Sequence, residues 1–303
     1  RALAKRSSLL PRTITSASGL TVTQAITAVD LSRSIVMFTI RHLDGQGRGH
    51  RHHFSAWLSS TTQITFTRVE ANFATDCFIE WTVVEYAAGA LKSLQIGSFA
   101  VSSTTVGIAL TPVDVGAAFP TLFAAQSGSV TQFHWRPNPL ITQTSVSGDT
   151  LRLGVPTGNT LPANAYTGYW QVVEFYPADV AVQSVSVDFD RKYSETTAIT
   201  PVDPSKVVVG FSVNAKSSFQ ARVYGSIGYV SGADTAYVSV SQLGTAPSGV
   251  QAQLYLLELK GQGRVESGRV TIPAGSVGPA VQPSFSPMVQ PVPFRTGINP
   301  NVR

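Results

Sequence analysis

Trp170-Gln171-Val172-Val173-Glu174-Phe175 is written for a strand that is covered on both sides. In an extended chain Trp170, Val172 and Glu174 share one face, and Val173 and Phe175 share the other. Both faces are largely apolar, which predicts a central strand with a well-buried tryptophan. The phrase recurs as Trp81-Thr82-Val83-Val84-Glu85-Tyr86 and, more loosely, as Leu254-Tyr255-Leu256-Leu257-Glu258. Its glutamates stand at 85, 174 and 258, spacings of 89 and 84 residues. Upstream of each lies a second shared phrase: Ile26-Thr27-Ala28-Val29-Asp30, Leu110-Thr111-Pro112-Val113-Asp114 and Ile199-Thr200-Pro201-Val202-Asp203. A period this long exceeds a solenoid turn and suits a whole small β domain.

The rest of the chain agrees with that reading. Alternation is frequent, as in Leu20-Thr21-Val22-Thr23, Ile64-Thr65-Phe66-Thr67 and Val182-Gln183-Ser184-Val185, whereas capped helical periodicity is absent. Turn clusters such as Asp44-Gly45, Thr157-Gly158-Asn159 and Ser231-Gly232-Ala233-Asp234 interrupt the strands at short intervals. The expected fold is therefore all-β, with three tandem antiparallel β-sandwich modules. Asp30, Asp114 and Asp203 are expected to cap a turn through their side chains. The boundaries expected are a basic N-terminal arm (1–12), modules at 13–102, 103–191 and 192–274, and an extended proline-rich tail (275–303). In this scheme the Trp strand is followed, within its own module, by a strand carrying Gln95, Gln183 or Glu266. Residues 273–303 hold seven prolines, too many for a sheet.

Composition narrows the function. Only 13% of the 303 residues are charged, about half the usual share, so a free monomer should tend to associate. The net charge is +5 and the basic residues are dispersed, which argues against nucleic acid as a partner. The exception is Arg1, Lys5, Arg6 and Arg12, read as a solvated tail or as an anchoring arm on a partner. Cys77 is the single cysteine, which excludes an internal disulfide and favours folding in a reducing cytosol; it is expected in the core. No 18-residue apolar window is present, so no membrane span is expected, and no signal peptide is visible ahead of the first strands.

Chemistry-bearing residues are few. His42, His50, His52 and His53 cluster, and His50 and His52 are candidate zinc ligands on one strand face. Arg48 and Arg51 interleave with them and oppose a cation, so a polar hairpin tip without metal is the expectation. Glu85, Glu174 and Glu258, like the three aspartates, recur at each period. A catalytic carboxylate needs a unique partner and a cleft, so these positions are read as structural. No phosphate loop, dinucleotide fingerprint, nucleophile elbow or cysteine pair occurs, and neither enzyme activity nor a cofactor is expected. Trp135, Tyr166 and Tyr169 are candidates for an aromatic glycan contact, the basis of an alternative reading as a carbohydrate-binding receptor module or surface adhesin.

The phrases Trp-x-Val-Val-Glu-aromatic, Val180-Ala181-Val182-Gln183-Ser184 and Ile-Thr-x-Val-Asp together resemble tandem β-modules in virion proteins of tailed bacteriophages. The resemblance spans roughly residues 15–272; the third copy departs from it, with Leu254 in place of Trp and Glu266 in place of Gln. It implies a non-enzymatic structural component of a head decoration, collar, fibre or tail, assembled in host cytoplasm. Its implied partners are other virion proteins and copies of itself, in a homo-oligomer, with a host surface glycan as a further candidate.

Overall fold

The computed structural model describes residues 4–6, 12–15, 21–42, 54–68, 77–101, 105–126, 138–143, 148–154, 166–189, 192, 194–215, 222–243, 250–261 and 265. These residues form antiparallel sheets, with no α-helix among them and 3-10 turns at Leu31–Arg33 and Pro204–Lys206. Among the described residues no helix is long and apolar enough to cross a membrane.

The strands fall into sets with one pairing scheme. In the middle set, β8 (Leu91–Val101), β10 (Ala118–Gln126) and β13 (Tyr166–Phe175) make one sheet in the order β10-β13-β8. Strands β9 (Thr105–Val113), β11 (Asn138–Gln143) and β12 (Gly148–Gly154) make another in the order β11-β12-β9. Toward the C-terminus, β14 (Val180–Asp188), β16 (Val207–Ala215) and β19 (Val250–Leu259) pair as β14-β19-β16. Their companions β15 (Ser194–Ala198), β17 (Arg222–Gly232) and β18 (Thr235–Leu243) pair as β15-β18-β17. Toward the N-terminus, β3 (Thr21–Ala25), β5 (Ser55–Ser60) and β6 (Gln63–Thr67) pair as β3-β6-β5. There β4 (Ser34–His42) lies on one side of β7 (Cys77–Tyr86), while β1 (Ala4–Arg6) and β2 (Arg12–Thr15) share the other. In each set the first, last and third strands make one sheet and the second, fifth and fourth make its companion, counting β1 and β2 as one.

Two expectations change here. Joins near 102–103 and 191–192 would leave β8 with the first set and β14 with the second, yet β8 bonds along its length to β13, and β14 to β19. The sets therefore divide after β7 and after β13. The basic arm is also not free: Ala4–Arg6 pairs with Tyr86–Val84, and Arg12–Thr15 pairs with Trp81–Phe78. This main-chain pairing covers an edge that β7 would otherwise present unpaired. The tail 275–303 lies outside the described residues.

Each pair of sheets encloses its own apolar cluster. One joins Val36, Phe54, Ile64, Phe66, Trp81 and Val83, a second Leu110, Leu151, Leu153, Trp170 and Val172, and a third Phe189, Val207, Val238, Leu254 and Leu256. The alternation read from the Trp strand explains this, since Trp170 and Val172 are both turned to the sandwich interior. The other face of these strands is buried too. Ile35 and Val84, Phe119, Val173 and Phe175, and Val180, Tyr255 and Leu257 form a fourth cluster drawn from all the sets. Tyr86 meets Phe175 edge-on at 5.7 Å and Phe119 meets Tyr255 edge-on at 5.6 Å, so rings lock one set to the next. Burial pushes the Tyr86 and Tyr255 hydroxyls well above their ordinary pKa, as expected of a dry seam.

Close packing leaves glycine where a ring crosses a neighbouring strand. Gly97 of β8 stands opposite Trp170, and a Cβ added there would lie 2.5 Å from the indole Cζ2. Gly97→Ala is expected to lower stability by about 1–3 kcal/mol through overpacking. Chemical denaturation should show this, and a Trp170→Phe background should reduce the penalty.

Candidate functional site

The repeated acids sit at one joint in every set, where the turn before the third strand meets the end of the last strand. Asp30 accepts hydrogen bonds on Oδ1 from the Ser32 N–H at 2.9 Å and its hydroxyl at 2.6 Å. Asp203 does the same with Ser205, at 3.0 and 2.7 Å. Asp114 accepts from the Gly116 N–H at 2.9 Å. A short acidic side chain two residues ahead of an N–H is the requirement for this turn, and it folds locally.

The glutamates then hold these turns. Glu174 Oε1 accepts from the Asp114 N–H at 2.9 Å and from Lys92 Nζ at 2.7 Å, and its Oε2 accepts from the Ser93 hydroxyl at 2.8 Å. Its side chain is 3% exposed, so this carboxylate is buried yet fully partnered. Glu258 Oε1 accepts from the Asp203 N–H at 2.9 Å, with Lys260 Nζ 2.5 Å from Oε2. Glu85 Oε1 receives Arg33 Nη2 at 2.7 Å, and Arg33 Nε lies 3.2 Å from Asp30 Oδ2. Burial alone would raise the Glu174 pKa, but the Asp114 N–H, Lys92 and Ser93 together hold it below the ordinary value. Lys260 and the Asp203 N–H lower Glu258 against a smaller burial effect, and the Ser32 and Ser205 bonds lower Asp30 and Asp203. Such groups stay ionised and engaged, the opposite of the raised carboxyl that a general acid needs.

A second tie crosses between the two sheets of a set. Gln95 accepts from the Thr111 N–H and donates to the Thr111 carbonyl, both at 2.8 Å. Gln183 repeats this on Thr200, at 3.0 and 2.9 Å. Both threonines belong to the phrase that ends in the turn aspartate, so amide, turn and glutamate act together.

Other candidates are placed as follows. Trp81 and Trp170 lie in the sandwich cores. His50, His52 and Trp135 lie outside the described residues, as does the side chain of Tyr166, whose backbone pairs with Gln126 and Val101. Cys77 opens β7, with its side chain outside the described residues. No group of three or more His, Cys, Asp or Glu side chains able to hold a metal occurs among the described residues. Tyr169 stacks on Trp57 of the first set at 4.1 Å and 16°, so one face of the ring that a sugar would need is covered.

Gln171 escaped the sequence reading. Its amide accepts from the Val36 N–H at 3.2 Å and donates to the Val36 carbonyl at 3.3 Å, standing in for a strand against the outer edge of β4. The available signal was a polar residue on the second, otherwise apolar face of the Trp strand. The chain matches no protein-family model, no curated protein and no solved structure.

The acids give the fold a defined pH dependence. Their folded pKa values lie below the unfolded ones, so the stabilisation is complete above the unfolded carboxylate range. It is lost as the pH falls through the folded values. Denaturation midpoints should fall on acidification from about pH 6 to about pH 3. Glu174→Gln should cost about 2 kcal/mol at neutral pH and flatten that acid slope.

Proposed function

We propose that the chain is a non-enzymatic structural component of a tailed-bacteriophage virion, built from three tandem β-sandwich units. Its place is a decoration, collar, fibre or tail position. The units run from the N-terminal strands to Tyr86, from Leu91 to Phe175, and from Val180 to Leu259.

The observation that carries this reading is the acid-held turn repeated in each set. The same strand order and the same Asp-turn geometry recur, with each glutamate tied to its own turn. Functional sites are single and asymmetric, whereas a joint copied at every period serves the mechanics of the repeat. The fourth apolar cluster supports a rigid role, because it ties the units into one body through faces that an independent domain would leave wet. The low charge suits a surface made to lie against neighbours, which in this reading are copies of the chain and other virion proteins assembled in the host cytoplasm. The resemblance of the Trp-x-Val-Val-Glu and Ile-Thr-x-Val-Asp phrases to virion modules supplies the particle.

Antibodies raised against the purified chain test this on intact particles of the phage that encodes it. Immunogold label at a fixed place on purified virions is the expected result. Label recovered only in the particle-free lysate overturns the assignment.

A further inference from the structure

The first strand of the third set docks on the turn of the set before it. The Val182 N–H donates to the carbonyl of Gly116, the second residue after Asp114, at 2.7 Å. The same bond occurs once more, where the scheme of three sets has no use for it. The Val265 N–H donates to the carbonyl of Ser205, the second residue after Asp203, at 2.7 Å. The sequence continues Val265-Glu266-Ser267, as it does at Val182-Gln183-Ser184. The interval from the strand-ending glutamate to this position is similar in length, 10 residues from Glu85 to Gln95, 9 from Glu174 to Gln183 and 8 from Glu258 to Glu266. Val265 thus stands where a first strand begins, yet residues 273–303 contain neither Asp nor Glu, so the Val-Asp and Trp-Val-Val-Glu phrases do not recur in that stretch.

The first set has the complementary feature. β13 and β19 are each flanked by one continuous strand, whereas the edge of β7 holds two short ones with broken register. Arg6 pairs with Val84 and Arg12 with Trp81, six positions apart on one side and three on the other, so the two pairings do not share one register. Thr111 and Thr200 are clamped by glutamine amides, but the equivalent Thr27 is exposed, and among the described residues no side-chain amide bonds to its backbone. Gln95 pairs with Val172 and Gln183 with Leu256, and the equivalent residue of β7 is Val83. A strand with Glu266 opposite Val83 would bring its carboxyl to Thr27.

We propose that residues 265–272 of one molecule add to the edge of β7 in a second copy, replacing β1 and β2, and that the copies join head to tail. Main-chain bonds supply the affinity of such strand addition, and the Glu266–Thr27 contact sets its register. A second copy is favoured over the same chain by the pattern of contacts. Gln171–Val36 and Trp57–Tyr169 join the first set to the second, and Val182–Gly116 and Phe119–Tyr255 join the second to the third. These ties run between consecutive sets, and all the sets also meet in the shared apolar cluster. The inference needs the repeat and not the virion assignment, so the two can fail separately.

The test uses the full chain with Cys77→Ser, carrying Thr27→Cys in one preparation and Glu266→Cys in another, mixed and treated with a short bis-maleimide. A covalent dimer containing both cysteine peptides is expected, and the double variant should give a ladder. A link confined within single chains, or none while circular dichroism reports a folded protein, overturns the proposal. Light scattering on chains that keep Cys77 provides an independent reading. Val265→Pro, which removes the docking N–H, should abolish the oligomers, whereas Glu266→Gln should tighten association about fivefold, because an amide can also donate to the Thr27 carbonyl. Masses that do not change in either variant refute it.

Discussion

Everything in this fold hangs on strands that have no solvent face. β7, β13 and β19 each lie at the centre of a sheet, with one side in a sandwich core and the other in the cluster shared by all the sets. A strand of this kind cannot slip by one residue without exchanging its two apolar complements, and these complements differ. Trp170 fits over Gly97 on one side, and Phe175 meets Tyr86 on the other. Register and inter-set geometry are therefore fixed by the same residues.

The polar ties are arranged to protect those strands. A buried carboxylate is costly unless it is fully bonded, and Glu174 has three donors within 2.9 Å. Two of them come from the first strand of the set and one from the turn before the third, so the carboxylate gathers distant parts of the chain at one end of the sandwich. Glu258 and Glu85 use different cations, Lys260 and Arg33, at the same joint. What recurs is the anion and the turn beneath it, while the cation comes from whichever neighbour can reach. Gln171 shows the same economy between sets, where a single amide satisfies both polar groups of Val36 on an edge that no other described strand covers.

Much of the candidate joint could be read from the sequence. The spacing of the Val-Asp and Trp-type phrases marked the aspartates, the glutamates and the buried tryptophans, because a repeated period exposes every position held in common. The stacking of Tyr169 was not legible for the opposite reason: its partner, Trp57, is 112 residues away and belongs to another set. Gln171 was passed over on similar grounds, since its value lies in its bonds to the backbone of Val36 in another set, which are not visible in any local pattern.

The sequence by itself determined that the chain is made of strands, where they turn, and which residues look inward, because pleat and turn chemistry act over a few neighbours. It also carried the threefold recurrence. Only the tertiary structure decided which strand closes which sheet. β8 follows β7 after a four-residue connection, Ala87 to Ala90, and alternates well enough to pair with it, yet it crosses to β13. Alternation specifies a face and says nothing of a partner. The choice is made by long-range packing, in which Gly97 leaves room for the Trp170 ring and the Ser93 hydroxyl donates to the Glu174 carboxylate.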